Sequence, residues 1–148
     1  LLLFSLLTGL QLGACGTGHS ESSPMHGQWT VIGWWTPGIS ALSQEQAESW
    51  VGTRAAYGEA LAEFGPKRCR NPDYHQESLT REDFIEHYRV RPETLGVDRT
   101  PIPVVHVDCG LAPSPGQVLI LKSPHRMITL WDGAFLEMAR EMANPLAD

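Results

Sequence analysis

The C-terminal third of the chain leaves little freedom in what it can fold into. Between Ile102 and Arg140, short runs rich in Val, Ile and Leu alternate with clusters of Pro, Gly, Ser and Asp. Ile102 to Cys109 reads as a strand, because β-branched side chains suit a pleated, half-buried backbone. Gly110 to Gly116 is a Pro/Gly loop. Val118 to Lys122 is a second strand, Ser123-Pro124-His125 a turn, and Met127 to Trp131 a third strand. Asp132-Gly133 is the two-residue signature of a tight hairpin. Ala134 to Arg140 is a final strand or the start of a terminal helix; as a strand it sets Leu136, Met138 and Arg140 on one face. Strands joined this closely pair antiparallel, as a meander.

Upstream signals add strands and two short helices. Gln28 to Trp35 alternates in part, which would place Trp29, Val31 and Trp35 on one face, and Thr36-Pro37-Gly38 ends it. Ser43 followed by Gln46 has capping-box spacing for a helix that Gly52 stops. Residues 54–57 and 60–64 read as two short strands about Gly58. The polar stretch from Pro66 to Ser78 reads as a loop. Thr80 then caps a second helix with an inward stripe of Phe84, Ile85 and Tyr88, ended by Arg91-Pro92. The expected fold is mainly β (α+β): an antiparallel sheet of about seven strands, a small barrel or half-barrel, with two short helices.

Composition narrows the function. The chain has 148 residues and a formal net charge of −6, with 11 Lys plus Arg against 17 Asp plus Glu. A net acidic chain without a basic run is a poor ligand for nucleic acid. Its length suits one domain, expected at 27–142, with a frayed tail at 143–148.

Leu1 to Ala14 is apolar and uncharged. It is shorter than the roughly 20 residues that span a bilayer as a helix, and it matches the apolar core of a secretory signal peptide, truncated at its start. Leu12-Gly13-Ala14-Cys15 resembles the lipobox of bacterial lipoproteins. The resemblance implies removal of residues 1–14, a diacylglyceryl thioether on Cys15, and an acylated amine. It also implies a lipid-anchored protein of the cell envelope, and Gly16 after the cysteine fits an outer-membrane position facing the periplasm. Residues 15–26 would then be the lipidated Cys and a flexible tether, with His19 and His26 as linker residues.

There are three cysteines, Cys15, Cys69 and Cys109. Lipidation of Cys15 leaves one pair, and an oxidising compartment favours a Cys69–Cys109 disulfide. The alternative is a reactive thiol at Cys69, whose pKa the flanking Lys67, Arg68 and Arg70 would lower. Those three cations otherwise read as a solvated turn after Gly65-Pro66.

Gly27-Gln28-Trp29 opens the first strand as G-x-W, and Arg140 falls near the end of the last. This pattern resembles the calycin signature of lipocalin-like barrels. The resemblance implies that Trp29 packs at the closed end of the barrel under Arg140, and that the fold binds a small apolar ligand in an internal cavity.

Residues that suggest catalysis are sparse. His106 and Asp108 share one strand face and, with Ser123, would make a triad only if the fold assembled them; no G-x-S-x-G elbow is present. His75, His87, His106 and His125 lack metal-ligand spacing, so no metal is expected. No phosphate-binding glycine motif occurs, and no cofactor is expected. Trp34 and Trp35 are adjacent, so one of them is the candidate to line a pocket or meet a partner. The chain therefore reads as a binding protein and not an enzyme. The first reading is a lipocalin-like carrier of a small apolar ligand. The second is an envelope interaction protein, such as a hydrolase inhibitor or assembly factor, acting through an exposed loop at 110–116 or 66–78.

Overall fold

A computed structural model describes residues 23–110 and 112–142. The lipobox-like run, Cys15 and His19 lie outside the described residues, as does the tail from residue 143. Nine antiparallel strands form one sheet: β1 (Gly27–Trp35), β2 (Arg54–Tyr57), β3 (Leu61–Phe64), β4 (Lys67–Arg70), β5 (Asp73–Leu79), β6 (Ile102–Asp108), β7 (Val118–Ser123), β8 (Arg126–Trp131) and β9 (Ala134–Arg140). Their order is β4-β3-β2-β1-β9-β8-β7-β6-β5, so the sheet is two meanders joined where β1 pairs with β9. It curls into a half-barrel. Two short helices accompany it, α1 (Gln44–Glu48) and α2 (Arg81–Tyr88), with a 3-10 turn at Pro92–Leu95.

The local signals explain most of these boundaries. Ser43 and Gln46 exchange both bonds of the capping box at α1, at 2.8 and 3.2 Å. Thr80 accepts from the Asp83 N–H at the start of α2. Asp132 and Gly133 both have positive φ, 48° and 83°, the pair of left-handed residues that a type I′ hairpin needs. A Cβ at Gly133 would also stand 2.6 Å from the Ile39 carbonyl oxygen.

Two points correct the sequence reading. Residues 66–78, expected as a loop, form β4 and β5, which is why the sheet has nine strands. Their polar composition hid them. Both are edge strands, where charged side chains meet solvent and block edge-to-edge pairing. The cations Lys67, Arg68 and Arg70 accordingly sit on a strand and not a turn. The second correction is Trp35. A bulge between Val31 and Gly33 shifts the β1–β9 register, so Trp34, not Trp35, returns to the face of Trp29 and Val31.

The concave face carries one core that runs across the sheet, from Cys69 on β4 through Trp29, Val31, Leu136 and Met138 to Val107 on β6. These side chains line the hollow of the half-barrel. On the convex face, Phe84 of α2 and Leu95 of the 3-10 turn pack on Ile102, Val104, Ile120 and Ile128, with Leu79 of β5 in the same cluster. Residues 23–26, expected in the tether, lie against this body. Met25 is buried, its carbonyl accepts from the Trp29 indole at 2.9 Å, and His26 stands edge-on to Tyr74.

Candidate functional site

Curling brings the two ends of the sheet together at one seam. Cys69 on β4 is disulfide-bonded to Cys109, just past β6, with their Cα atoms 5.5 Å apart. The Tyr74 hydroxyl, on β5, donates to the Gly58 carbonyl at 2.8 Å. The Tyr57 hydroxyl, on β2, donates to the Gly116 carbonyl at 2.9 Å. Burial raises the pKa of both phenols above the ordinary value, so each stays a neutral donor. The Ala112–Gln117 loop is thus tied beside β4 instead of lying free.

Between β4 and that loop lies a half-open pocket of about 340 Å³. Its floor is apolar: Tyr57, Ala62, Phe64, Cys69 and Val107. The Pro113–Gly116 segment forms one wall, held by Ser114 N–H donating to the Gln117 side chain at 3.0 Å. Lys67, Arg68 and Glu63 line the other. Gly116 makes the close approach possible. Its φ is +84°, and a Cβ there would lie 2.7 Å from the Cβ of Phe64. A second depression of about 340 Å³ lies among Ala60, Leu61, Arg68, Arg70 and Asn71, but all five are exposed, so it is a gap between surface side chains.

The other candidate residues fall elsewhere. Gly27, Trp29 and Arg140 meet at the β1–β9 junction. Neither Trp34 nor Trp35 lines the seam pocket. Trp34 packs on the concave core, and Trp35 lies on the convex face with the Lys122 ammonium 5.4 Å from its ring centroid. His106 pairs with Glu77 at 2.7 Å on the convex face, and Asp108 accepts from Gly110 N–H. Ser123 is at the far end of β7 from Val118, the cross-strand partner of His106, so these three residues are not brought together. His75 stands opposite His106 across the β5–β6 ladder, whereas His87 is on α2 and His125 in the β7–β8 turn. Among the described residues, no cluster of three or more His, Cys, Asp or Glu gathers to hold a metal.

Sequence reasoning named both walls of the pocket, as separate loops, but of its floor only Cys69. Pairing Cys69 with Cys109 was the available signal, because that bond sets the two walls side by side. No family model matches the chain, and neither a curated protein nor a solved structure matches it.

Proposed function

We propose that the protein is a ligand-binding module, not an enzyme, and that it takes a small, largely apolar molecule into the seam pocket. The observation that carries this reading is the pocket itself: about 340 Å³, floored by aromatic and aliphatic side chains and walled by a loop that a disulfide and a tyrosine hold in place. Its volume is at the small end of ligand sites, which commonly run about 300–1,000 Å³. The pocket opens at the seam of the sheet, and its floor residues belong to the concave core. The contact of Trp29 with Arg140 is consistent with a lipocalin-like barrel end. The lipobox-like Leu12-Gly13-Ala14-Cys15 supports a lipid anchor in the cell envelope, with the domain presented to the periplasm from the outer membrane.

Binding is tested with the neutral fluorophore phenylnaphthylamine, whose emission rises in apolar surroundings. The expected result is saturable binding that Ala62→Phe and, at the rim, Ser114→Trp each abolish by filling the pocket. Absence of binding, or binding indifferent to both substitutions, would sink the reading. The anchor is tested separately, by mass spectrometry of the N-terminal peptide from native envelopes; an unmodified chain that retains Leu12 to Ala14 would refute it.

A further inference from the structure

We infer that the seam pocket selects ligands with an anionic head, a small carboxylate amphiphile, and that Lys67 and the open edge of β4 recognise the head. This rests on the reading of the pocket as a ligand site and adds the chemistry of what enters it. The first observation is the placement of Lys67. Side chains alternate along a strand, so Lys67 shares the concave face of Cys69 and stands across from Phe64 in the β3–β4 ladder. Lys67 therefore lines the pocket from the face that carries its apolar floor, and it makes no ion pair with any described residue. Arg68, on the opposite face, is already held by Glu63 at 2.8 Å.

The second observation is the backbone of β4. Asn71 N–H donates to the Ala60 carbonyl across the β3–β4 ladder. Hydrogen-bonding pairs alternate in an antiparallel ladder, so Lys67 and Cys69 also face β3, and Arg68 and Arg70 turn their N–H and C=O outward. No hydrogen bond from a described residue reaches those groups. The Arg68 N–H is thus a main-chain donor on the pocket wall, next to Lys67. Hydrogen bonds to a charged partner are the stronger kind. In a chain of net charge −6, the sequence Lys67-Arg68-Cys69-Arg70 also reverses the local sign.

An open strand edge beside an apolar groove also suits an extended peptide. The disulfide decides against it. β4 is four residues long, and Cys109 stands beside it with its Cα 5.5 Å from that of Cys69, which leaves little length for a paired strand. What remains is room for a head group at Lys67 and Arg68 and a tail over Phe64.

The test displaces phenylnaphthylamine from the full-length protein with decanoate, decanol or decyltrimethylammonium at neutral pH, where the carboxylate is ionised. Decanoate is expected to displace at about tenfold lower concentration than decanol, and the cation least well, as one added charge-assisted hydrogen bond would give. Lys67→Gln should lower the decanoate-to-decanol ratio by about tenfold and Lys67→Arg should keep most of it. Arg54→Gln, on the convex face, should leave it unchanged. Equal displacement by decanoate and decanol overturns the inference while the pocket reading stands. So does a ratio indifferent to Lys67→Gln, or an acidic extended peptide that outcompetes decanoate. Failure of the neutral fluorophore to bind overturns both readings.

Discussion

Arg140 lies directly across the β1–β9 ladder from Trp29 and holds its guanidinium 4.3 Å from the indole centroid. The same group donates to three carbonyls, Pro24, His26 and Pro124. The first strand, the last strand and the segment before the first are thereby fastened at one point. Trp29, 1% exposed, is covered by the cation, and its indole N–H is spent on Met25. A charged side chain is held over a buried aromatic only where its donors are satisfied, and here the carbonyls satisfy them.

Trp29→Ala should destabilise the domain by roughly 3–5 kcal/mol, the usual range for removing a buried aromatic. Arg140→Ala should cost less, since part of what it leaves exposed can hydrate. Urea unfolding of the single and double variants should reveal coupling of about 0.5–2 kcal/mol, the cation–π contribution. Strictly additive losses would show that the stacking contributes nothing.

The Cys69–Cys109 bond closes a loop with a sequence separation of 40. The chain-entropy model assigns such a loop roughly 4 kcal/mol. The paired replacement Cys69→Ala and Cys109→Ala should lower stability by that order. Hydrogen exchange should show the Ala112–Gln117 segment losing more protection than β8 and β9, which lie away from the seam. A uniform loss across the sheet would mean that the bond does not hold the loop locally.

The legible parts of the fold were those where local chemistry and tertiary packing agree. Asp132-Gly133 could only be a tight turn, and the runs at Ile102, Val118, Met127 and Ala134 form β6 to β9. The capping pattern at Ser43 placed α1, and the odd cysteine count yielded the pairing seen at the seam. Residues 66–78 were opaque because an edge strand exposed on one side has no apolar period to read; only Cys69 and Pro72 among residues 66–76 are buried. The bulge that exchanges Trp34 for Trp35 has no signature in Ile32-Gly33 beyond the glycine itself. The pocket floor escaped because Tyr57, Phe64 and Val107 are ordinary core residues in sequence. What makes them a site is the curl of the sheet, and that is a property of the whole ladder.

Thr129 is fully buried, yet its hydroxyl has no hydrogen-bond partner among the described residues. Its cross-strand neighbours are Leu119 and Leu136, both core residues. A buried unsatisfied hydroxyl costs about 1–3 kcal/mol in desolvation. Thr129→Val keeps the shape and removes that burden, so thermal unfolding should shift upward by the equivalent of about 1 kcal/mol. A downward shift would mean that the hydroxyl is satisfied in solution, for instance by a trapped water.

The phenols of the seam predict how the fold meets alkali. Burial raises the pKa of Tyr57 well above its ordinary value of 10.0, because a phenolate there would be stripped of water beside the Phe64 floor; the charge of Tyr74 adds to this. Tyr88, between α2 and the sheet, is pushed up to about 12 by burial first and by the Glu77 carboxylate second. A raised folded-state value means that below about 10 both states are neutral and the phenol has no effect on the pH dependence. Above it the unfolded chain releases the proton first, so stability falls as pH rises, by up to about 1.4 kcal/mol per unit for each such group. For Tyr88 the loss runs from about 10 to about 12, and for Tyr57 it continues beyond that window. Tyr57→Phe removes the bond to the Gly116 carbonyl, so at neutral pH the variant should be less stable by about 1 kcal/mol. Above pH 10 its stability should fall less steeply than that of the parent, and the two curves should cross. Urea midpoints measured from pH 8 to 12 test this. Parallel curves throughout would show that Tyr57 ionises in the folded state and that the loop does not seal it from water.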